Sequence, residues 1–309
     1  MKKYLFIVMM FLFAFAKAQK NKLTNSEALQ GYYFQHDNDF LFAIDRYYTA
    51  GSFIGYRKQL DGDFIFKGSE LYPVQFDLTI GQETYTPREL FDTNFDRLER
   101  PYAGYLFLKS AISRASKSEL FSLALELGLA GEQSKARVFQ ISYHKLIGEF
   151  IPVWSGQIAN SSHLNTYGFY VKDLTVPNSN LLKNFSLAST LALGTRRIFV
   201  RQEALVFIGN RERIGCTSAF NRLGSNREFY GFGGVGIEYV ALNALIEGHP
   251  FNDSSPFTLP VESRVLSFKL GAVYRGVHNL YELIYNFRTK ETAREGRSQF
   301  IAFSFGRLF

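Results

Sequence analysis

Apolar and polar residues alternate along most of this chain. Val74-x-Phe76-x-Leu78-x-Ile80 has a two-residue period, and Leu123, Leu125, Leu127 and Leu129 share one face of the segment 120–129. A period of two puts successive side chains on opposite sides of a strand. The same pattern predicts strands over 28–35, 47–60, 73–83, 103–113, 166–174, 185–194, 230–242, 265–274 and 281–287. It also predicts a strand over 138–146, with Gln140, Ser142 and His144 opposite Phe139, Ile141 and Tyr143. In 300–309 the positions Ile301, Phe303, Phe305 and Phe309 are bulky and apolar, while Ala302, Ser304 and Gly306 are small or polar. Residues 196–215 read as a strand with a long charged loop. Polar loops are expected at 88–100, 131–137, 160–165, 248–260 and 289–297, and almost no helix is expected.

The N-terminus breaks the pattern. Lys2-Lys3, the apolar run Tyr4 to Phe15 and Ala16-Lys17-Ala18 have the form of a secretory signal, expected to span 1–18 and leave a single domain over 19–309. No later segment has the ~18 uninterrupted apolar residues of a spanning helix. Yet aromatics make up 17% of the chain at a mean hydropathy of −0.09. Many aromatics at neutral hydropathy fit apolar side chains facing lipid and polar ones facing a lumen. With the terminal Phe, this predicts an all-β fold: a transmembrane antiparallel β-barrel of about twelve strands in a bacterial outer membrane. A closed barrel has no edge to pair, so a monomer is expected. A formal charge of +7 suits anionic lipid head groups, and export argues against nucleic acid as a partner. The one cysteine, Cys216, cannot form an intramolecular disulfide.

Two stretches could carry chemistry. Asp37, Asn38, Asp39, Asp45 and Thr49 gather oxygens between two aromatic runs, the ligand type a hard cation prefers, although Asp and Asn are also turn formers. Of five histidines, His163 and His249 fall in polar loops, His278 follows a turn, and His36 flanks the oxygen cluster. His144 differs. On the predicted strand it faces the barrel interior, followed by Gly148, Glu149, Pro152 and the only tryptophan, Trp154, whose ring suits a membrane interface. The site could be catalytic, or His144 could satisfy a polar network.

The segments Asn38-Asp39-Phe40, Asp45 to Gly51, Arg100-Pro-Tyr-Ala-Gly104 and Gln140…His144-x-x-Ile-Gly148…Pro152-x-Trp154-x-x-Gln157 resemble the LpxR-type lipid A 3'-O-deacylase family. So do 242–256 and Arg288-Thr-Lys-Glu291 with the last strand, so the resemblance runs in order over nearly the whole mature chain. It implies a twelve-stranded outer-membrane barrel that is a Ca²⁺-dependent hydrolase, removing the 3'-linked acyloxyacyl group from lipid A in lipopolysaccharide. Position by position, the family's catalytic histidine corresponds to His144, its Asn-Asp pair to Asn38 and Asp39, its hydroxyl residue to Thr49 and its glutamine to Gln140. Its essential glutamate corresponds to Glu149, at a spacing one residue shorter. Asp39, Asn38 and Thr49 would hold the cation. Asp37 stands where the family has an acidic residue before Asn-Asp. After Gln157 comes Ile-Ala-Asn-Ser-Ser instead of an acidic residue, and 196–215 also departs from the pattern. Arg88, Arg97 and Arg100 are candidates to pair with lipid phosphates. The competing readings are an outer-membrane phospholipase using Ser142 and a non-catalytic barrel acting as pore or scaffold.

Overall fold

A computed structural model describes residues 29–39, 46–60, 65–67, 73–174 and 184–309. The predicted signal segment and Asp45 lie outside the described residues. Twelve strands follow one another around a closed antiparallel barrel. They are β1 (Gln30–Asn38), β2 (Tyr47–Leu60), β3 (Val74–Thr86), β4 (Ala103–Ala115), β5 (Glu119–Ala130) and β6 (Ser161–Leu174). The circuit continues with β7 (Asn184–Gly194), β8 (Arg197–Asn210), β9 (Glu228–Asn243), β10 (Arg264–Arg275), β11 (Asn279–Arg288) and β12 (Ser298–Leu308). Closure is made by β1 against β12, from Gly31↔Leu308 to Asn38↔Ile301.

The predicted alternation has a physical address. Phe121, Leu123, Leu125 and Leu127 point outward and are exposed, while Leu120 and Glu126 point into the lumen and are buried. Phe121 to Leu129 covers about 27 Å along the strand. At the usual barrel tilt this is about 20 Å of height, close to the apolar band of an outer-membrane barrel. In β12 the odd positions face out and Ala302, Ser304, Gly306 and Leu308 face in and are buried. Tyr32, Tyr56 and Phe309 cluster at the end that carries the termini, with Tyr281 and Phe305 nearby on the wall. No helix of the described residues is long and apolar enough to cross a membrane.

Two expectations are corrected and a third is sharpened. The segment predicted as a strand over 138–146 is helix α1 (Ala136–Ile147). The predicted loop 160–165 lies almost wholly in β6, which starts at Ser161. The stretch 196–215 is, as read, a strand followed by a loop: it contains β8, joined to β7 by the tight turn Thr195-Arg196.

The lumen is filled at the terminus end. The 211–227 segment folds back into the barrel, where Ile214 and Phe220 pack among Phe207, Tyr230 and Leu205. Arg222 donates to Ser113 Oγ at 2.7 Å and the Pro73 carbonyl at 2.5 Å. Arg275 donates to the Cys216 carbonyl at 2.7 Å and pairs with Glu228 at 3.2 Å. Glu228 in turn accepts from the Ser218 N–H and hydroxyl, at 2.9 and 2.7 Å. Each of these buried charges thus has a partner, the condition under which burying it is tolerable. Above this plug remains a polar cavity of about 510 Å³ lined by Lys109, Glu126, Arg196 and Arg201 among others. In planar bilayers the protein should show no stable single-channel steps, and deletion of 212–226 should produce them. Steady conductance by the intact barrel would contradict the plug.

Candidate active site

At the end opposite the termini, one cross-strand row runs along the outside of the wall: Asn38↔Ala50↔Thr84↔Gly104, from β1 to β4. Four adjacent strands span about 15 Å. Strand alternation separates Asn38 from its neighbour. Asp37 points into the lumen, where Tyr48 and Gln35 donate to its carboxylate, each at 2.8 Å. The acidic cluster expected from the sequence is therefore divided by the wall, with Asp37 inside and Asn38 outside. β2 carries a bulge between Tyr48 and Ala50, and Thr49 is the extra residue. A bulge re-aims side chains. Here it turns the Thr49 hydroxyl onto Thr86 Oγ1 of the outer face, at 2.7 Å.

α1 lies against this outer wall, over β3 and β4. Two features let it approach. A Cβ on Gly104 would sit 2.2 Å from Ser134 Oγ and 2.4 Å from Ala136 Cβ, so any side chain there would push the helix away. Gln82 of β3 donates from its amide to the Ser134 carbonyl at 2.6 Å. The helix buries Ala136, Gln140 and His144, spaced by four residues along one face. It ends at Gly148, whose φ of 77° lets both its own N–H and that of Glu149 reach the His144 carbonyl. Ser142 is exposed, about 200° around the helix from Gln140. The sequence expectation that Ser142 shares a face with His144 is thereby overturned, as is that of His144 facing the barrel interior.

His144 is 9% exposed. Its Nδ1 lies 2.5 Å from the Phe150 carbonyl. A carbonyl can only accept, so Nδ1 carries the proton, and in the neutral ring Nε2 holds the lone pair. Gln140 Oε1 accepts from Trp154 Nε1 at 2.8 Å, which turns the amide's donor end the other way. Trp154 is buried rather than interfacial: it has a φ of 55°, is 4% exposed and stacks on Tyr102 at 5.0 Å. Tyr102 is itself fixed by donating to the Leu90 carbonyl at 2.8 Å. Glu149 is exposed at the helix end.

Asp39 is 3% exposed, and its Oδ2 accepts the Arg46 N–H at 2.9 Å. The Asp39 N–H reaches the Thr49 carbonyl at 3.3 Å. No three His, Cys, Asp or Glu side chains gather into a metal-binding group among the described residues. Asp39 adjoins Asn38 in the chain and meets Thr49 through its N–H, so a carboxylate, an amide and a hydroxyl residue share this end of β1 and β2. Such a set fits a hard cation that completes its shell with water, and does not fit a thiolate or imidazole metal.

A family model described as outer membrane protein LpxR matches residues 5–309. The chain belongs to this family. Among solved structures, LpxR from Salmonella typhimurium superposes with a TM-score of 0.74 at 18% identity, over 90% of this chain and 100% of that one. The β domain of the Bordetella autotransporter BrkA, at 0.44 and 8% identity, covers 91% of this chain and 98% of that one. No curated protein matches the chain. The family and the closed barrel together make this an outer-membrane protein.

Inside this LpxR-family barrel, ion pairs brace the rim behind the outer-face site. Arg196 crosses the lumen to Glu83 at 2.6 Å, and Arg197, Arg201 and Arg288 converge on Glu238. Arg100, a candidate for lipid phosphates, is instead fully buried, pairing with Glu295 at 3.2 Å and Glu291 at 3.6 Å. Arg88 and Arg97 remain exposed beside Glu89 and Asp92. His163 is likewise buried rather than solvated. It meets the Ser161 hydroxyl at 2.9 Å, and its ring lies 5.1 Å from that of His249. Burial pushes the Glu295 carboxyl up, with Arg100 opposing and Glu291 adding to the shift. Burial would raise Glu291 too, but Arg288, Arg197 and Arg100 outweigh it and hold that carboxyl low.

Two outcomes follow from this geometry. Trp154→Phe keeps the stack on Tyr102 but leaves Gln140 Oε1 buried without its donor, a loss of about 1–2 kcal/mol. It should lower the unfolding free energy in urea titrations by about that amount, whereas an unchanged stability would contradict the hydrogen bond's structural role. Glu295 binds its proton more tightly folded than unfolded, so its contribution falls as pH rises from the ordinary carboxylate range toward neutrality. Glu295→Gln should therefore gain stability relative to wild type between about pH 5 and about pH 8 in urea titrations. A pH-independent difference would contradict the assignment.

Proposed function

We propose that this protein is a hydrolase that removes the 3'-linked acyloxyacyl chain from lipid A by histidine-based attack of water on the ester. The observation that carries this reading is the His144 ring, its Nδ1–H held by the Phe150 carbonyl. It sits on the buried face of a helix that covers the outer wall of an outer-membrane barrel. A base in that position works on the membrane side of the wall, not in the lumen.

His144 Nε2 takes a proton from water as the water oxygen bonds to the ester carbon. When the carbon–oxygen bond to the sugar breaks, the imidazolium returns the proton to the leaving alkoxide. The products are the acyloxyacyl chain as a carboxylic acid, its internal ester intact, and a hydroxyl on the sugar. Gln140, its carbonyl oxygen occupied by Trp154, offers N–H donors to the developing oxyanion. Asp39, Asn38 and Thr49 would hold Ca²⁺, which when bound supplies positive charge that polarises the ester carbonyl. Glu149 contributes a carboxylate at the exposed end of the turn that fixes His144.

Neither alternative has an observation in its favour. Ser142 is exposed on a different face of α1 from His144, which speaks against a serine phospholipase, and the plugged lumen speaks against a pore. The test is mass spectrometry of lipid A from a host expressing the protein, with and without calcium chelation. Loss of the 3'-acyloxyacyl mass is expected, abolished by chelation and cut about 10²–10⁴-fold in His144→Ala. Unchanged lipid A around a correctly inserted barrel would overturn the proposal.

A further inference from the structure

The face of α1 turned away from the barrel has no role in the site just described, and it is unusually apolar. At 100° per residue, Val138, Leu146, Phe139 and Tyr143 span an arc of about 140°, in which Ser142 is the one polar residue. All four are exposed, Leu146 by 82%, and Phe150, just after the helix, by 76%. The buried arc of Ala136, Gln140 and His144 adjoins it on one side. Arg137 and Lys145 occupy an exposed basic sector on the other. A water-exposed helix has no reason to present such an arc, because the cost of hydrating it has no return.

We propose that this arc is seated in the acyl layer of the surrounding lipid leaflet, with Arg137 and Lys145 at head-group level. Three observations select acyl chains as the occupant. First, the arc is continuous with an interface already made by the barrel. α1 starts over Gly104, and below it on the same outer faces of β3 and β4 come Ile80 and Leu108, both exposed to lipid. Second, the three sectors match an interfacial helix: apolar toward the chains, basic toward anionic head groups, and a third face docked on protein. Third, the aromatic edge extends beyond the helix, where Phe91 of the 87–102 loop meets Phe150 ring to ring at 5.9 Å while both stay exposed. α1 is thus a lipid-embedded element outside the barrel.

This inference rests on the membrane location and not on the hydrolase reading, so its test needs no turnover. In a Cys216→Ser background, Leu146→Cys, Leu108→Cys and Arg137→Cys are each labelled with an environment-sensitive fluorophore. The full-length proteins are then reconstituted into phosphatidylcholine vesicles containing some phosphatidylglycerol. Folding of each is checked by heat-modifiable gel mobility. A nitroxide on the lipid acyl chain should quench the label at 146 as strongly as at 108, and that at 137 at least threefold less. Aqueous iodide should show the reverse order. Iodide quenching at 146 with none by the nitroxide, while 108 responds to the nitroxide, would overturn the proposal. So would protection of 146 from both quenchers together with cross-linking between Leu146→Cys chains, which would assign the arc to a second copy.

Discussion

Hydrocarbon offers the backbone no hydrogen-bond partner. Every N–H and C=O within the membrane must therefore be paired inside the protein, and a sheet can do that only by closing. The β1–β12 seam meets this requirement, and most of the architecture follows from it. Closure forces strict alternation between lipid and lumen, which sends Phe121 to Leu129 outward and the charged residues inward. Those charges then need partners, and they find them across the lumen in Arg196–Glu83 and around Glu238. The plug of 211–227 is a continuation of the same economy: Arg222 and Arg275 are buried because carbonyls and Glu228 are there to receive them.

The wall also explains where chemistry is possible. Its interior is crowded with paired ions, and the cavity above the plug is lined by Glu83, Glu126, Lys109 and arginines, with no histidine among them. Asn38 and Thr49 are not committed to the lumen: they stand on the outer face at the rim, in or beside one cross-strand row. Such groups would be costly facing lipid, and α1, packed over β3 and β4, covers the part of the row that holds Thr84 and Gly104. That cover brings its own polar residues, Gln140 and His144, on the face it buries. The inverted character of α1, polar inside and apolar outside, is what a helix needs when it separates a polar site from a hydrocarbon phase.

Some of the site was legible from the chain for a reason that survives an incorrect element. A spacing of four residues keeps Gln140 and His144 on one face in both a strand and a helix, so their association was correct although a strand was expected. A spacing of two does not, and Ser142 left that face as soon as the segment became helical. Phe-Gln-Ile-Ser-Tyr-His alternates as cleanly as any strand here, because over six residues a two-residue period and a helix that buries only Gln140 and His144 share most of their pattern. Arg100-Pro-Tyr-Ala-Gly104 was visible as a motif, but the reasons for its parts were not. Gly104 is the seat of α1, Tyr102 is the stacking partner of Trp154, and Arg100 is a buried brace.

By itself the sequence determined that this is a membrane barrel and which face of most strands meets lipid, properties of local alternation and composition written residue by residue. The candidate site residues came instead from motifs that resemble the LpxR family. Only the tertiary structure decided which side of the wall each group occupies. A bulge turns Thr49 outward, the pleat sends Asp37 and Asn38 to opposite sides, and a glycine four strands from the seam lets a helix settle over the result. Those outcomes depend on contacts between segments far apart in the chain, and no local period encodes them.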